Sequence, residues 1–567
     1  MAGSGTENQR PAAGAGARGE NFKSMPPEGA DQDPLGVLHF PLWAFVMGHP
    51  SLNPEGLVHQ PLAPGAICGV PEGTAHKGET KTACQPYYDW VESLPKIIQG
   101  GMGAGVSEWR LANAVARCGQ LGVVAGTALD VILARRLQMG DPEGHTRRAL
   151  AAFPFPEIAK RVLDRYFVEG GKAPDKAFKS KPSPSATPSR ALNELTVTAN
   201  FVEVFLAKEG HTGLVGVNYL EKIQLPTLPS IFGAMLAGVG TVCMGAGIPL
   251  AIPGILDRLA EGKKVELRLD ISGALPGETF VTHFDPADFV GGPAPVLTRP
   301  KFLAIVSTGI VANVMIKKAS GKVDGFVIEA ATAGGHNAPP RGKGPLSDEG
   351  EPVYGPRDLP KFEEFRNFGL PFWLAGSRAT SDQLKDALQH GAAGIQVGTA
   401  FAFSEESGMN AEWKAKILQM SKKGEARVFT DPIASPTGFP FKVIQLEGTL
   451  SHPDTNNKRR RVCDLNYLRH GYRLEDGTIG WRCPSEPVDD YIRKGGKEED
   501  TVGRKCICNG LLSNISLPQV RKDGVTEPAI FTSGDDVATV ARFLAPGATS
   551  YKAADVIEQL MGAVAQA

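Results

Sequence analysis

An α/β fold of the (β/α)8 TIM-barrel class, carrying insertions and a C-terminal Cys-containing extension, is predicted by three observations. From about residue 95 onward, short apolar runs alternate with stretches of helical periodicity, the pattern of repeated β-α units around a parallel sheet. Eight runs can be counted, at 96–99 (KIIQ), 121–126 (LGVVAG), 214–219 (LVGVNY), 241–245 (TVCMG), 302–307 (FLAIVS), 325–329 (GFVIE), 371–375 (PFWLA) and 394–398 (GIQVG). They are continuously apolar rather than alternating, as strands buried on both faces require. Eight units in about 330 residues suit a closed barrel with insertions better than an open doubly wound sheet.

The helices fall where such a barrel needs them. SEWRLANAVARCG follows the first strand, PSIFGAMLAG the third, IPGILDRLAEG the fourth and SDQLKDALQHG the seventh. Several close on Gly, the expected helix C-cap. Around this unit the chain divides into a disordered leader at 1–35, an N-terminal extension at 36–94, the barrel at 95–429 with insertions at 130–197 and 265–300, and a C-terminal extension at 430–567. The leader is rich in Gly, Ala, Glu, Gln and Pro and has no apolar signal-sequence core. In the first insertion KAFKSKPSPSATPSR is dense in Pro and Ser, which predicts a mobile linker. The second insertion predicts a short strand pair and a Pro-rich loop. Segments 130–197 and 335–355 stand at strand C-terminal ends and are expected to fold over the site as lids. NAEWKAKILQMSKKGE is the last barrel helix, and VATVARFLA and AADVIEQLMGAVAQ are two closing helices of the tail.

Composition excludes several classes. Of 567 residues, 42% are hydrophobic and 21% charged, which rules out a wholly disordered, collagen-like or coiled-coil chain. Sixty Lys and Arg against 61 Asp and Glu leave a net charge of −1, with no global drive toward nucleic acid or anionic lipid. The uncharged stretch 224–256 is long enough to cross a bilayer, but Pro226, Pro229, Pro249 and Pro253 break it, so no membrane span and a cytoplasmic protein are expected. Eight Cys without a signal sequence point to reduced thiols, catalysis or metal rather than a disulfide frame.

Chemistry in a parallel barrel sits beyond the C-terminal strand ends. Here those places are rich in glycine: QGGMGAG after strand one, AGT after two, MGAG after four, TAGGH after six, AGS after seven and GT after eight. Glycine lets backbone N–H groups approach a ligand, and the sites after strands seven and eight are the usual phosphate cradle. One such glycine could simply turn the chain, whereas six at corresponding places argue for an extended phosphorylated cofactor. GMGAG lacks the G-x-G-x-x-G spacing of a dinucleotide loop. His336 is the one histidine of eleven in this glycine-lined set, and an imidazole held there suits proton transfer at a carbon centre. A satisfied structural histidine is the plainer alternative. No G-x-S-x-G elbow, Walker A sequence or H-E-x-x-H pair occurs, so serine hydrolase, P-loop and zincin readings have no support.

KIIQGGMGAGVS with LANAVARCGQLGVVAG, VGVNYL, IEAATAGGHNAP, and FWLAGS paired with GAAGIQVGTAF resemble, over about residues 95–425, the FMN-dependent nitronate monooxygenases, or 2-nitropropane dioxygenases. These share their barrel with the flavin enoyl-acyl carrier protein reductases. The resemblance implies that Gly101 and Met102 lie along an FMN, Gly126 and Asn218 near its ring and ribityl chain, and Ala333 and Gly334 beside them. It also implies that Gly376, Ser377, Gly398 and Thr399 hold the phosphate and that His336 is the catalytic base. Ser377 stands where the family usually has a second Gly, a place a hydroxyl donor to phosphate could fill. Asn337-Ala338-Pro339-Pro340-Arg341 replaces the usual short turn after the histidine, and compact members lack the long insertions and the tail.

The implied activity is oxidation of alkyl nitronates or a related small carbon acid with O2. An alternative on the same site is an NAD(P)H-dependent flavin enoyl-thioester reductase. An alternative of another class is a flavin-bearing assembly protein whose tail binds a partner and whose barrel chemistry is residual. Expected partners are a small-molecule substrate and O2, with an acyl carrier protein or a homo-oligomer as further candidates. Cys463, Cys483, Cys506 and Cys508 crowd into the tail, where four thiolates would suit zinc or an iron–sulfur cluster, and irregular spacing equally suits buried or redox-active thiols. The basic run Lys458-Arg459-Arg460-Arg461 reads as a solvated face, and Cys68 and Cys84 have no readable partner.

Overall fold

The computed structural model describes residues 94–342 and 344–562, so the leader at 1–35, nearly all of the 36–94 extension, and Cys68 and Cys84 lie outside the described residues. Eight parallel strands form one sheet: β1 (Ile97–Gln99), β2 (Gly122–Ala125), β3 (Val215–Leu220), β4 (Thr241–Gly245), β5 (Lys301–Val306), β6 (Gly325–Glu329), β7 (Phe372–Ala375) and β8 (Gly394–Val397). They bond in the order β1-β8-β7-β6-β5-β4-β3-β2. A parallel bridge between Ile98 and Leu121 closes the ring, with the Gln99 N–H donating to the Leu121 carbonyl at 2.9 Å. The fold is therefore a TIM barrel, and each predicted strand is present with ends displaced by at most one residue.

The period of two explains why the strands read as continuous apolar runs. Ile98, Val123, Cys243, Leu303, Val327 and Trp373 fill the barrel interior. Their neighbours Ile97, Val124, Val242, Phe302, Ile328 and Leu374 face the helical layer. The Trp373 indole N–H, buried with the rest, donates to the Pro95 carbonyl at 2.8 Å. One pleat further along the inward face come Asn218, Gly245, Ile305, Glu329, Ala375 and Gln396, which open into a cavity at the C-terminal ends of the strands.

The helices Trp109–Arg117, Thr227–Leu236, Ile252–Ala260 and Ser381–Gln389 occupy the predicted places. The last starts with a capping box, in which Thr380 and Gln383 each accept the other's backbone N–H. Segment 224–256 resolves into helix, strand and helix, and among the described residues no helix is long and apolar enough to cross a membrane.

One expectation is corrected here. The Pro- and Ser-rich stretch 176–190 is pinned in place: the Lys179 N–H donates to Gln138 Oε1 at 2.6 Å, Lys181 Nζ lies 2.9 Å from Asp130, and Asn466 Nδ2 donates to Ser183 Oγ at 2.9 Å. Proline removes the donors such a segment would use on itself, so its remaining polar groups are met by side chains from elsewhere. The two closing helices of the tail are present, the first as a 3₁₀ helix, Asp535–Phe543, and the second as an α-helix, Ala553–Met561.

The C-terminal extension is built onto the barrel. Strand Val428–Asp431 pairs antiparallel with Phe441–Ile444, and His470–Arg473 joins Ile479–Arg482 to Ile271–Ser272 of the second insertion. Backbone bonds tie it down: the Asn337 N–H donates to the Pro440 carbonyl at 2.9 Å, and the Lys442 N–H to the Gly335 carbonyl at 3.0 Å. Phe441, Val443, Ile507, Leu512 and Phe531 belong to the same apolar cluster as the outer face of the barrel. The basic run is not a solvated face throughout. Arg459 is paired with Glu527, the two side chains being 2% and 0% exposed, and Arg521 joins Glu527 at 2.8 Å. Arg460 alone of the three arginines is freely exposed, reaching Asp523 at 3.8 Å.

Candidate active site

A cavity of about 220 Å³ lies over the barrel, between the strand ends and the extension. Gly101, Met102, Asn218, Ala333, Gly334, His336, Gly376, Ser377, Gly398 and Thr399, drawn from five strand ends, all line it. Gly126 does not. A Cβ there would fall 2.2 Å from the Tyr219 ring, so this glycine seats the tyrosine and leaves the wall to Thr127 and Ala128.

The glycines serve close approach. At Gly101 a Cβ would meet Asn218 Cβ at 2.4 Å, and at Gly334 it would meet the Ser533 backbone at 2.6 Å. Gly376 takes φ +99°, a region L side chains avoid, and Ser377 follows in the left-handed region at φ +48°. The Ser377 hydroxyl donates to the Thr332 carbonyl at 3.2 Å, which occupies the donor the sequence reading had reserved for phosphate. Thr399, in the first turn of the short helix Thr399–Ala402, carries an N–H with no intrahelical partner, as all first-turn amides do. Its hydroxyl is met from the extension, by the Gly534 N–H at 3.1 Å and by Ser533 Oγ at 3.2 Å.

His336 is held from the extension too. Its Nε2 lies 2.7 Å from Ser435 Oγ, itself 2.9 Å from Thr437 Oγ1, and its ring rests against Phe441 at 4.8 Å. Burial drives its pKa down to about 4, so the imidazole is neutral at physiological pH. Glu329, the last residue of β6, faces the same cavity and is shifted the other way. Burial raises its carboxyl to about 8, so it carries its proton at neutral pH. The cavity therefore holds a neutral proton acceptor and a neutral proton donor, an arrangement that separates acid and base roles.

Tyr467, Leu468, Ile507, Cys508 and Leu511 of the extension, with Leu220 and Ile223 from the β3 end, give the cavity an apolar side. Tyr467 donates its hydroxyl to Asp130, which Lys181 also meets at 2.9 Å. Ser435, Tyr467 and Thr532 to Asp536 escaped the sequence reading because nothing local marks them. Glu329 could have been found as the one acid on an inward strand position. Cys463, Cys483, Cys506 and Cys508 carry free thiols, and among the described residues no group of three or more His, Cys, Asp or Glu is arranged to hold a metal ion. Burial pushes the Cys506 thiol up to about 12 and raises Cys483 and Cys508 as well, which makes these thiols poor nucleophiles.

No curated protein matches the chain. Among solved structures it is similar to FabK from Thermotoga maritima, 15% identical with a TM-score of 0.41 over 85% of this chain and 97% of that one. It is also similar to nitroalkane oxidase from Streptomyces ansochromogenes, at 16% and 0.38 over 84% and 98%. A third is the enoyl reductase domain of MlnA from the macrolactin biosynthesis cluster of Bacillus amyloliquefaciens, at 11% and 0.39 over 85% and 97%. Residues 293–434, the stretch that carries TAGGH, AGS and GT, match the family model of nitronate monooxygenase, the family those motifs resemble.

Proposed function

We propose that the protein is a cytoplasmic FMN-dependent oxidoreductase of the nitronate monooxygenase type, acting on alkyl nitronates or a related small carbon acid with O2. The observation that carries this reading is a neutral imidazole facing the same cavity as the glycines after β7 and β8. When bound, FMN supplies the redox chemistry and its own reoxidation by O2.

The residues present fit that group. Gly376 adopts a backbone conformation that opens the loop, Gly101 brings its backbone against Asn218 without a side chain between them, and Asn218 and Gln396 offer amides at the barrel mouth. Gly376, Ser377, Gly398 and Thr399 would hold the phosphate through their backbone. Gly101, Met102, Asn218, Ala333 and Gly334 would line the ring system. With a neutral carbon acid as substrate His336 would take the proton from its carbon, whereas a nitronate arrives with that proton already lost. Ser435 occupies Nε2, which fixes the ring and leaves Nδ1 for the substrate. The apolar side formed by Leu468, Ile507 and Leu511 excludes water from the reacting atoms.

One observation favours a second reading. The protonated carboxyl of Glu329 is a donor that enoyl-thioester reduction with NAD(P)H requires, with an acyl carrier protein as the partner. Anaerobic mixing separates the two. Bleaching of the flavin by a nitronate alone supports the monooxygenase, bleaching by NADH or NADPH alone supports the reductase, and a colourless protein removes both.

A further inference from the structure

The glycine end of the cavity contains an acid that the mechanism above does not use. Asp536, in the 3₁₀ helix Asp535–Phe543 of the extension, lines the cavity together with Gly376, Ser377, Gly398 and Thr399. Its Oδ1 is buried and lacks a well-formed hydrogen bond, although the Thr399 hydroxyl stands close enough to act on the carboxyl. The absence of a side chain at Gly534 keeps this corner open, since a Cβ there would stand 3.0 Å from Asp536 Oδ1 and 3.1 Å from Thr399 Oγ1. An acid in the first turn of a helix ordinarily serves the helix dipole. That role is served by a solvated or bonded carboxylate, and it leaves an orphaned oxygen at a ligand cavity unexplained.

The surrounding groups decide which form of the acid belongs there. Burial raises the Asp536 carboxyl above the usual range, the Thr399 hydroxyl and then the Arg542 guanidinium oppose this, and Asp535 adds to it. Neither nearby arginine is unoccupied. Arg542 donates to the Ala379 carbonyl at 2.9 Å, and Arg378 pairs with Asp386 at 2.7 Å. Asp535 is paired with Lys442 at 2.7 Å, Tyr551 lies behind the turn, and His336 and Glu329 face the cavity from the barrel side. A phosphate brought against an ionised Asp536 would meet like charge in a poorly solvated corner, whereas the acid form presents an O–H to it.

We propose that Asp536 in its neutral acid form donates a hydrogen bond to the phosphate monoester held by the glycine loops, so that cofactor binding takes up one proton at this residue. The proposal rests on the FMN reading above and extends it to a residue of the extension. The linkage has a definite sign. Phosphate raises the carboxyl pKa in the bound state, so affinity is complete below the pKa of the empty site and falls as pH rises toward the pKa of the filled one. In that window one linked proton costs about tenfold in affinity per pH unit.

The test is titration of the full-length protein, freed of flavin, with FMN and separately with riboflavin across neutral to alkaline pH, for the natural chain and for Asp536→Asn, read by flavin fluorescence quenching and by calorimetry in two buffers of different ionisation heat. FMN affinity in the natural chain is expected to fall with pH while one proton is taken up, with riboflavin showing neither effect. Asp536→Asn, which keeps a donor, is expected to bind FMN with no such slope. The second ionisation of the phosphate, near pH 6, acts alike in both chains and cancels in the comparison. Identical slopes and proton counts in the two chains would overturn the proposal. Absence of FMN binding to the natural chain, or riboflavin binding as tightly as FMN, would remove the cofactor reading itself and this inference with it.

Discussion

The floor and the roof of the cavity are built on opposite plans. The floor, from the barrel, exposes bare backbone at Gly100, Gly101, Gly245, Gly376 and Gly398, between side chains such as Asn218, Glu329 and Gln396. The roof, from the extension, offers side chains: Ser435 against His336, Thr532 accepting the Gly335 N–H at 2.8 Å, and Tyr467 and Asp536 in the wall. The family match ends at residue 434, one position before Ser435. The barrel thus brings bare backbone to the cavity, and the extension beyond the match brings the hydroxyl that holds the His336 ring.

That division can be broken at several points. The largest effect is expected at His336→Ala, where loss of the proton acceptor lowers turnover by about 10²- to 10⁴-fold while the visible flavin spectrum of the purified protein is retained. Unchanged turnover would favour residual chemistry and the assembly reading. Next comes the anchoring of the roof: Arg459→Ala leaves the buried Glu527 with Arg521 as its remaining cation and should cost about 1–3 kcal/mol in denaturant unfolding. Arg460→Ala, next to it but exposed, should stay within about 0.5 kcal/mol. Ser435→Ala deprives His336 of its Nε2 partner, and with about 1 kcal/mol of orientation lost turnover should drop roughly fivefold while FMN binding is unaffected.

The smallest effect at neutral pH is expected from Glu329→Gln, and it sharpens the comparison through pH. The natural enzyme should lose kcat/KM below about 4 as His336 becomes protonated and above about 8 as Glu329 ionises, and the variant should lack the alkaline limb. Stability follows the same group. A carboxyl raised in the folded state stabilises it at low pH, and that contribution fades as pH climbs from the ordinary carboxylate range to about 8, so thermal melts of variant and natural chain should diverge over that window.

Legibility in the sequence followed the same line between floor and roof. The strands were readable because burial on both faces leaves an uninterrupted apolar run, and the glycines because close backbone approach admits no other residue, as at Gly101. Even here one residue was misplaced: Gly126 is required by Tyr219 and not by the cavity. Across the roof, local pattern carries almost nothing. Ser435 lies 99 residues from the histidine it holds, and Asp130 is met by a tyrosine 337 residues away. The basic run misled because Arg459 and Arg460 look alike in sequence, and only the fold buries one of them against Glu527.

The placement of Ser435 and Asp536 after all eight strands bears on how the protein matures. During synthesis the barrel strands are complete at Val397, when the cavity has a floor and no cover. A further 139 residues separate Val397 from Asp536, on the order of ten seconds at ordinary translation rates. Until then the emerging barrel is an open cup with exposed apolar strand ends, so capture of the cofactor belongs to the final stage of folding, when the roof comes down over it.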